Sequence, residues 1–273
     1  MVVINTMNIL NINSFSNEKV KYVIKLKEKR FRDRERKFVI EGYRELAKAN
    51  LSGKIKFDTL YISPECFLGV NEDDLIRKIN VKTIELPRKI FEKISYRDRP
   101  DGLLAVADTP DFGFDYEGDK KGSLFLIIEG VEKPGNLGTI LRTADGAGVS
   151  AVFVTDARID LFNPNVIRAS TGTVFTLPTY IAEIEKLIEY FQKYKVQIIA
   201  LSPEGNQNYL EPNYKLRTAL LFGNEQYGLS PYAKENSDSL VSIPMQGESD
   251  SLNLAMSCGI MVYEVLRQKM QRK

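Results

Sequence analysis

The chain reads as an α/β protein in two parts, the second built on a parallel sheet. Three observations predict this. Short β-branched and aromatic runs alternate with helix-length amphipathic segments through both halves. Back-half strands such as 124–128 and 218–222 are apolar almost without a break, as strands covered on both faces are. A stretch rich in Gly, Pro, Asp and Lys, TPDFGFDYEGDKKG at 109–122, separates the halves.

In the front part, the charged segment 17–37 predicts one helix or two short ones, with Val20, Val23, Ile24 and Phe31 as the apolar positions. Strand 38–40, helix 43–50, strand 57–62, helix 73–79 and strand 81–86 follow. Helix 87–94 carries Pro87 in its first turn, and strand 103–107 ends the part. The back part begins with strand 124–128, a Gly-rich turn and helix 136–147. Strand 151–155, helices 164–170 and 181–194, strands 196–201, 218–222 and 240–243, and helix 252–270 complete it. The domain boundaries expected are therefore 1–108, a linker at 109–122, and 123–273.

Composition bounds the function. The 273 residues, 43% apolar and 27% charged, suffice for packed cores. The net charge of +2 hides an asymmetry: residues 1–108 carry +6 and residues 109–273 carry −4, so the front part is the one suited to a polyanion. Two cysteines, Cys66 and Cys258, with no CxxC pair exclude a disulfide framework and a cysteine zinc site, and fit a reducing cytoplasm. The start, MVVINTMNILNINSF, lacks the basic region and cleavage site of a signal peptide, and no apolar run is long enough for a bilayer. Histidine is absent, which removes every mechanism that needs an imidazole base, nucleophile or metal ligand.

Four segments can carry chemistry. EGVEKPGNLGTILRTADGAG at 129–148 places a glycine turn between a strand and a helix, where backbone N–H groups can hold an anion. Gly135 and Gly138 do not make GxGxxG, and no GxxxxGK[ST] occurs. The plain alternative has Asn136 capping the helix and Arg142 solvated. LLFGNEQYGLS at 220–230 brackets Glu225 with Gly223 and Gly228 at a strand's carboxyl end, which suits a ligand crevice or an ordinary turn. VSIPMQGESDSLNLAMSCGIMVYEVLRQ at 241–268 ends a strand and opens the last helix, with Asp250 or Ser251 as its cap. Leu252, Ala255, Met256, Gly259, Ile260 and Leu266 are expected as that helix's apolar stripe. KEKRFRDRERK at 27–37 holds seven Lys/Arg and three acids, either a solvated face of i,i+4 pairs or a phosphate-binding surface.

In this order the first three segments resemble the motifs of the SpoU family, within the SPOUT superfamily of RNA methyltransferases. The matching residues are Asn136, Gly138 and Arg142; Gly223, Glu225, Gly228 and Leu229; and Ile243, Pro244, Met245, Gly247, Ser251, Leu252 and Asn253. The likeness spans about residues 122–270. It departs at Glu132-Lys133-Pro134-Gly135, where many relatives place Asp or Asn before the proline. More loosely, the front part, with FVIEG and DGLLAVA, resembles the ribosomal-protein-like α/β sandwich that many members carry for substrate binding. Two-domain members of this kind, thiostrepton-resistance enzymes among them, mostly modify large-subunit ribosomal RNA.

The resemblance implies a Rossmann-like C-terminal parallel sheet with a deep trefoil knot, a homodimer formed through that domain with the final helix at the interface, and methylation of a ribose 2′-hydroxyl, most often in ribosomal RNA. S-adenosylmethionine is the implied cofactor, with no metal. Contacts to it fall on Ser202, Pro203, Glu204, Gly223, Ile243, Met245 and Leu252. Catalytic roles fall on Arg142, Asn136, Glu225, Ser251 and Asn253, and RNA contacts on Arg30, Arg32, Arg34, Arg36 and Lys37. A guanidinium keeps its proton in proteins, so Arg142 suits stabilisation of a developing alkoxide, or the holding of a phosphate that takes the proton, better than a literal base role. Competing readings are a transfer-RNA enzyme, a SpoU-like protein that only binds RNA, and a nucleotide-dependent oxidoreductase, the last disfavoured by the missing GxGxxG.

Overall fold

A computed structural model describes residues 9–111, 123–156 and 159–272. The first eight residues and 112–122, most of the expected linker, lie outside the described residues.

Contacts group the chain into two compact units, Met1–Asp111 with Leu161–Thr176, and Phe112–Asp160 with Leu177–Lys273. The first contains β1 (Ile9–Asn11), α1 (Glu18–Lys25), α2 (Lys29–Glu35), β2 (Lys37–Glu41), α3 (Tyr43–Ser52), β3 (Phe57–Ile62), α4 (Glu72–Ile79), β4 (Lys82–Glu85), α5 (Arg88–Ile94) and β5 (Leu103–Asp108). Its sheet runs β1-β4-β3-β5-β2, with β1, β4 and β3 parallel and β5 antiparallel to both neighbours. Val20 and Val23 of α1 join Val39, Tyr61, Ile84, Phe91 and Leu104 in one core. The charged 17–37 segment is two helices because α1 ends at Lys25 and Glu28 starts α2 in an extended conformation.

Residues 161–176 are contiguous in sequence with the back part but pack into the first unit. They form α7 (Pro164–Ala169) and a short 3₁₀ turn. Phe162 packs against Phe38 in a tilted pair, ring centroids 4.4 Å apart, and a Cβ at Gly172 would lie 2.9 Å from Glu45 Cα. A division of the chain at a single linker does not anticipate this excursion.

The second unit is a seven-stranded sheet, β10-β12-β9-β11-β6-β7-β8, parallel at every pairing. It comprises β6 (Leu124–Glu129), α6 (Pro134–Gly146), β7 (Ala151–Thr155), β8 (Thr179–Ala182), α8 (Ile184–Lys193), β9 (Gln197–Leu201), β10 (Gln207–Asn208), β11 (Thr218–Phe222), α9 (Pro231–Glu235), β12 (Ser239–Ser242) and α10 (Leu254–Gln271). Phe125, Phe153, Leu187, Phe191, Leu221 and Ala233 meet in a core between the sheet and the pair α8 and α9. Parallel pairing sets the carboxyl ends of β6, β9, β11 and β12 along one edge, where open α/β sheets bind ligands.

Five elements differ from the sequence expectation. Residues 179–182 are strand, so helix 181–194 is shorter than its apolar pattern suggests; Thr179 and Ile181 are β-branched and pair with β7. Strands β1 and β10 are too short to register as patterns, and α9 is a single turn or so, opened by the Ser230 cap and Pro231. The apolar stripe of α10 is rotated from the expected one. Leu254, Cys258, Met261, Val262 and Val265 face inward, while Leu252 and Met256 are exposed. Among the described residues no helix is long and apolar enough to cross a membrane.

Candidate active site

Helix α6 starts at Pro134, two residues earlier than its expected cap, so Asn136 lies inside the first turn and does not cap it. Its side chain is free for another task. Asn136 Nδ2 donates to Glu225 Oε1 at 2.8 Å, and Asn253 Nδ2 donates to Asn136 Oδ1 at 3.1 Å. Three residues from three separate motifs thus form one relay of polar groups. Asn253, not Asp250 or Ser251, caps α10: its Oδ1 accepts from the Ala255 N–H at 2.9 Å while its amide group reaches Asn136.

Glu225 sits on a tight loop after β11. Asn224 and Gly228 bridge each other through both backbone hydrogen bonds, with Gly228 at φ +69°. A Cβ at Gly223 would collide with the backbone of Gly228 and Leu229, so only glycine lets the strand end fold back this closely. Asn224 fixes the loop: its Oδ1 accepts from the Gln226 and Tyr227 N–H groups, and its Nδ2 donates to Gly130 O at 2.6 Å, tying the loop to the end of β6. Sequence reasoning passed over Asn224, although its place between Gly223 and Glu225 was the available signal. Glu225 Oε2 is buried without a hydrogen-bond partner among the described residues, an acceptor left for a ligand.

Gly223, Asn224, Glu225, Gly228 and Asn253 border a cleft of about 660 Å³ at the carboxyl edge of the sheet, while Asn136 lies outside its lining and reaches it through Glu225 and Asn253. Six of the seven expected cofactor contacts line it: Ser202, Pro203, Gly223, Ile243, Met245 and Leu252. Glu204 does not; Lys234 Nζ binds its carboxylate at 2.6 Å and holds its pKa below the usual range. Glu225, Ser251 and Asn253 line the cleft as well. Arg142 does not: it is exposed on α6, six residues beyond Asn136 and on another side of the helix.

The cleft's chemistry fits S-adenosylmethionine. Backbone-rich loops with Leu201, Phe222 and Met245 suit an adenosine, and the charged lining residues are Glu225 and Asp250 against Lys133. That balance is mildly negative, as a singly positive ligand with both an ammonium and a carboxylate requires. The cysteine nearby is no nucleophile, since full burial pushes the Cys258 thiol pKa up.

The five expected RNA contacts divide in two. Arg30, Arg34 and Arg36 are exposed. Arg32 is only 4% exposed, and its Nη1 donates to the Leu26 and Lys27 carbonyls at 2.9 and 2.8 Å, closing the end of α1. Lys37 is spent between Asp58 and Asp108, at 2.8 and 2.6 Å.

Comparison with known proteins identifies the family. Residues 123–263 match the SpoU rRNA Methylase family, and residues 17–105 match an MRM3-like substrate binding domain. The chain is 30% identical to an uncharacterized tRNA/rRNA methyltransferase of Synechocystis sp., over 97% of this chain and 96% of that protein. It is 29% identical to the 23S rRNA (guanosine(2553)-2′-O)-methyltransferase RlmP of Bacillus subtilis, over 93% and 98%. The crystal structure of an AdoMet-bound rRNA methyltransferase from Sinorhizobium meliloti superposes with a TM-score of 0.85 at 31% identity, covering 95% of this chain and 98% of that one. With the family match running over more than half its length, and over the residues that build the cleft, the chain belongs to the SpoU rRNA Methylase family.

Proposed function

We propose that this protein transfers a methyl group from S-adenosylmethionine to a ribose 2′-hydroxyl of large-subunit ribosomal RNA. The observation that carries the reading is the Asn253–Asn136–Glu225 relay at the mouth of a cleft lined by six of the expected cofactor residues. The names of the relatives, RlmP among them, support the ribosomal substrate.

When bound, the cofactor supplies an electrophilic methyl on a sulfonium whose leaving group is a neutral thioether, so no metal is required. The protein's own part is positioning and charge. Asn253 and Asn136 orient Glu225, whose free Oε2 accepts from a donor in the cleft. Ser251 borders the same mouth. Arg142 stabilises the ribose oxygen as its proton leaves, or holds the phosphate that takes that proton.

In its own chain Arg142 stands outside the cleft, which favours a homodimer. Helix α10 leaves Met256, Tyr263 and Met270 exposed at 61, 51 and 66%, one stripe at a spacing of seven. α6 packs beside it: a Cβ at Gly259 would be 3.8 Å from Thr143, and one at Gly146 3.6 Å from the Tyr263 hydroxyl. A second copy seated on this stripe would bring its Arg142 near the partner's cleft. The knotted path of the SpoU fold and a cytoplasmic location belong to the same reading, with 1–108 serving as the RNA-gripping part and 123–273 as the methyltransferase part. Mapping 2′-O-methylation across ribosomal RNA from cells with and without the protein tests the function: one ribose position should lose its mark. No change in ribosomal RNA, with a change in transfer RNA, would move the substrate.

A further inference from the structure

The first unit holds a second cleft, of about 630 Å³, which the motifs do not touch. Its walls are the start of α3, the loop 67–71, the loop 96–101 and the end of α7 with Thr171. Its charges are sorted by depth. The acids are buried, each with one oxygen held, while Glu45 Oε2 and Asp101 Oδ1 have no hydrogen-bond partner among the described residues. Glu45, 3% exposed, pairs with Arg97 at 2.8 Å; Asp101, 8% exposed, accepts from the Tyr43 N–H at 2.8 Å; Glu72, 5% exposed, accepts from the Leu68 and Gly69 N–H groups. Arg97 is held between these acids and also donates to Glu41 O at 3.1 Å. The remaining cations, Arg44, Arg99 and Arg168, are exposed, and none has a carboxylate partner among the described residues.

Three unpaired guanidiniums stand over a floor whose one arginine, Arg97, is shared by Glu45 and Asp101; with Glu72 counted, four arginines face three carboxylates, and the three outer ones offer forked donors suited to phosphate. Two further features distinguish a nucleotide chain from a simple polyanion. Asp101 Oδ1 is buried with no hydrogen-bond partner among the described residues, an acceptor that a ribose hydroxyl or base amino group can satisfy. Leu68, 82% exposed in the same lining, offers apolar surface to a base. By contrast, the basic 27–37 segment offers Arg30, Arg34 and Arg36 from one short helix and its cap, while Arg32 and Lys37 are spent internally.

We propose that this cleft grips an unpaired turn of the RNA substrate, with Arg44, Arg99 and Arg168 on its phosphates. The proposal rests on the reading of RNA as substrate. It also gives the 161–176 excursion a purpose, since that segment delivers Arg168 from the methylase stretch of the sequence to the substrate-binding unit.

The test uses full-length protein and transcribed 23S ribosomal RNA. Arg44→Ala/Arg99→Ala/Arg168→Ala and the matching triple Lys variant are compared with wild type, with thermal unfolding recorded for each. The Ala triple should raise KM for RNA about tenfold with kcat and S-adenosylmethionine binding little changed. Its slope of log affinity against log salt should fall by about 2, as loss of three phosphate contacts to a single strand requires. The Lys triple should recover most of that slope. Unchanged RNA affinity and slope in a folded Ala triple would overturn the proposal. If wild type binds RNA but transfers no methyl to it, the functional reading fails separately, and the binding slopes still decide the cleft.

Discussion

Asn136 and Glu225, 89 positions apart, are joined by a 2.8 Å hydrogen bond from Nδ2 to Oε1. That bond converts two weak sequence signals, a glycine turn before a helix and a glycine-bracketed acid, into one site. Replacing Asn136 with Ala frees Glu225 and deprives Asn253 of its acceptor. Methyl transfer should fall about 10²-fold while cofactor affinity stays within about threefold, checked by single-turnover kinetics beside calorimetric titration. An equal loss in both would make Asn136 part of the cofactor's own binding surface.

Gly223 has no room for a side chain. Gly223→Ala must push the loop off Gly228 and Leu229, at a cost of about 1–3 kcal/mol, and should abolish cofactor binding before it unfolds the protein. Titration with S-adenosylmethionine, with circular dichroism as the fold check, reads both effects.

Arg142→Ala should retain cofactor binding and lose methylation, because the residue stands apart from the cleft of its own chain. If mixed dimers of Arg142→Ala with Glu225→Ala regain activity towards half of wild type, the two residues act from different copies. Wild-type turnover by Arg142→Ala alone would remove it from the chemistry.

Arg32→Ala should lower stability by about 1–3 kcal/mol, since it strips the Leu26 and Lys27 carbonyls of their donor, and should leave the salt dependence of RNA binding unchanged. Denaturant melts and binding at several salt concentrations separate the two effects.

Lys37 and Lys56 hold the Asp108 carboxyl below its ordinary pKa by hydrogen bonding, against a smaller opposing effect of burial. A carboxyl lowered on folding stabilises above its unfolded value of about 3.9, and that contribution disappears as pH falls through the lower folded value. Asp108→Asn should therefore cost up to about 1 kcal/mol at pH 7 and progressively less below pH ~4, measured by urea unfolding across pH.

Much of the fold was legible because its strands are apolar and its helices periodic; strands 57–62, 151–155 and 218–222 appear at the expected positions. Legibility failed where long-range contact overrides local pattern. Residues 179–182 are strand because β7 offers an edge, and 161–176 leaves the back part because Phe162 and Phe175 pack their rings against Phe38. At the site, residue identity was readable but division of labour was not. Asn253 both caps α10 and reaches Asn136, and only the folded chain ties Glu204 to Lys234 and buries Arg32 amid a basic run.

The most direct measurement is incubation of the purified protein with S-adenosylmethionine labelled in its methyl group and unmodified 23S ribosomal RNA, followed by alkaline digestion. Label retained in an alkali-resistant dinucleotide, and lost in Asn136→Ala, is the result expected of a ribose 2′-hydroxyl acceptor. Label recovered on a nucleobase, or none transferred by a protein that binds the cofactor, would contradict it.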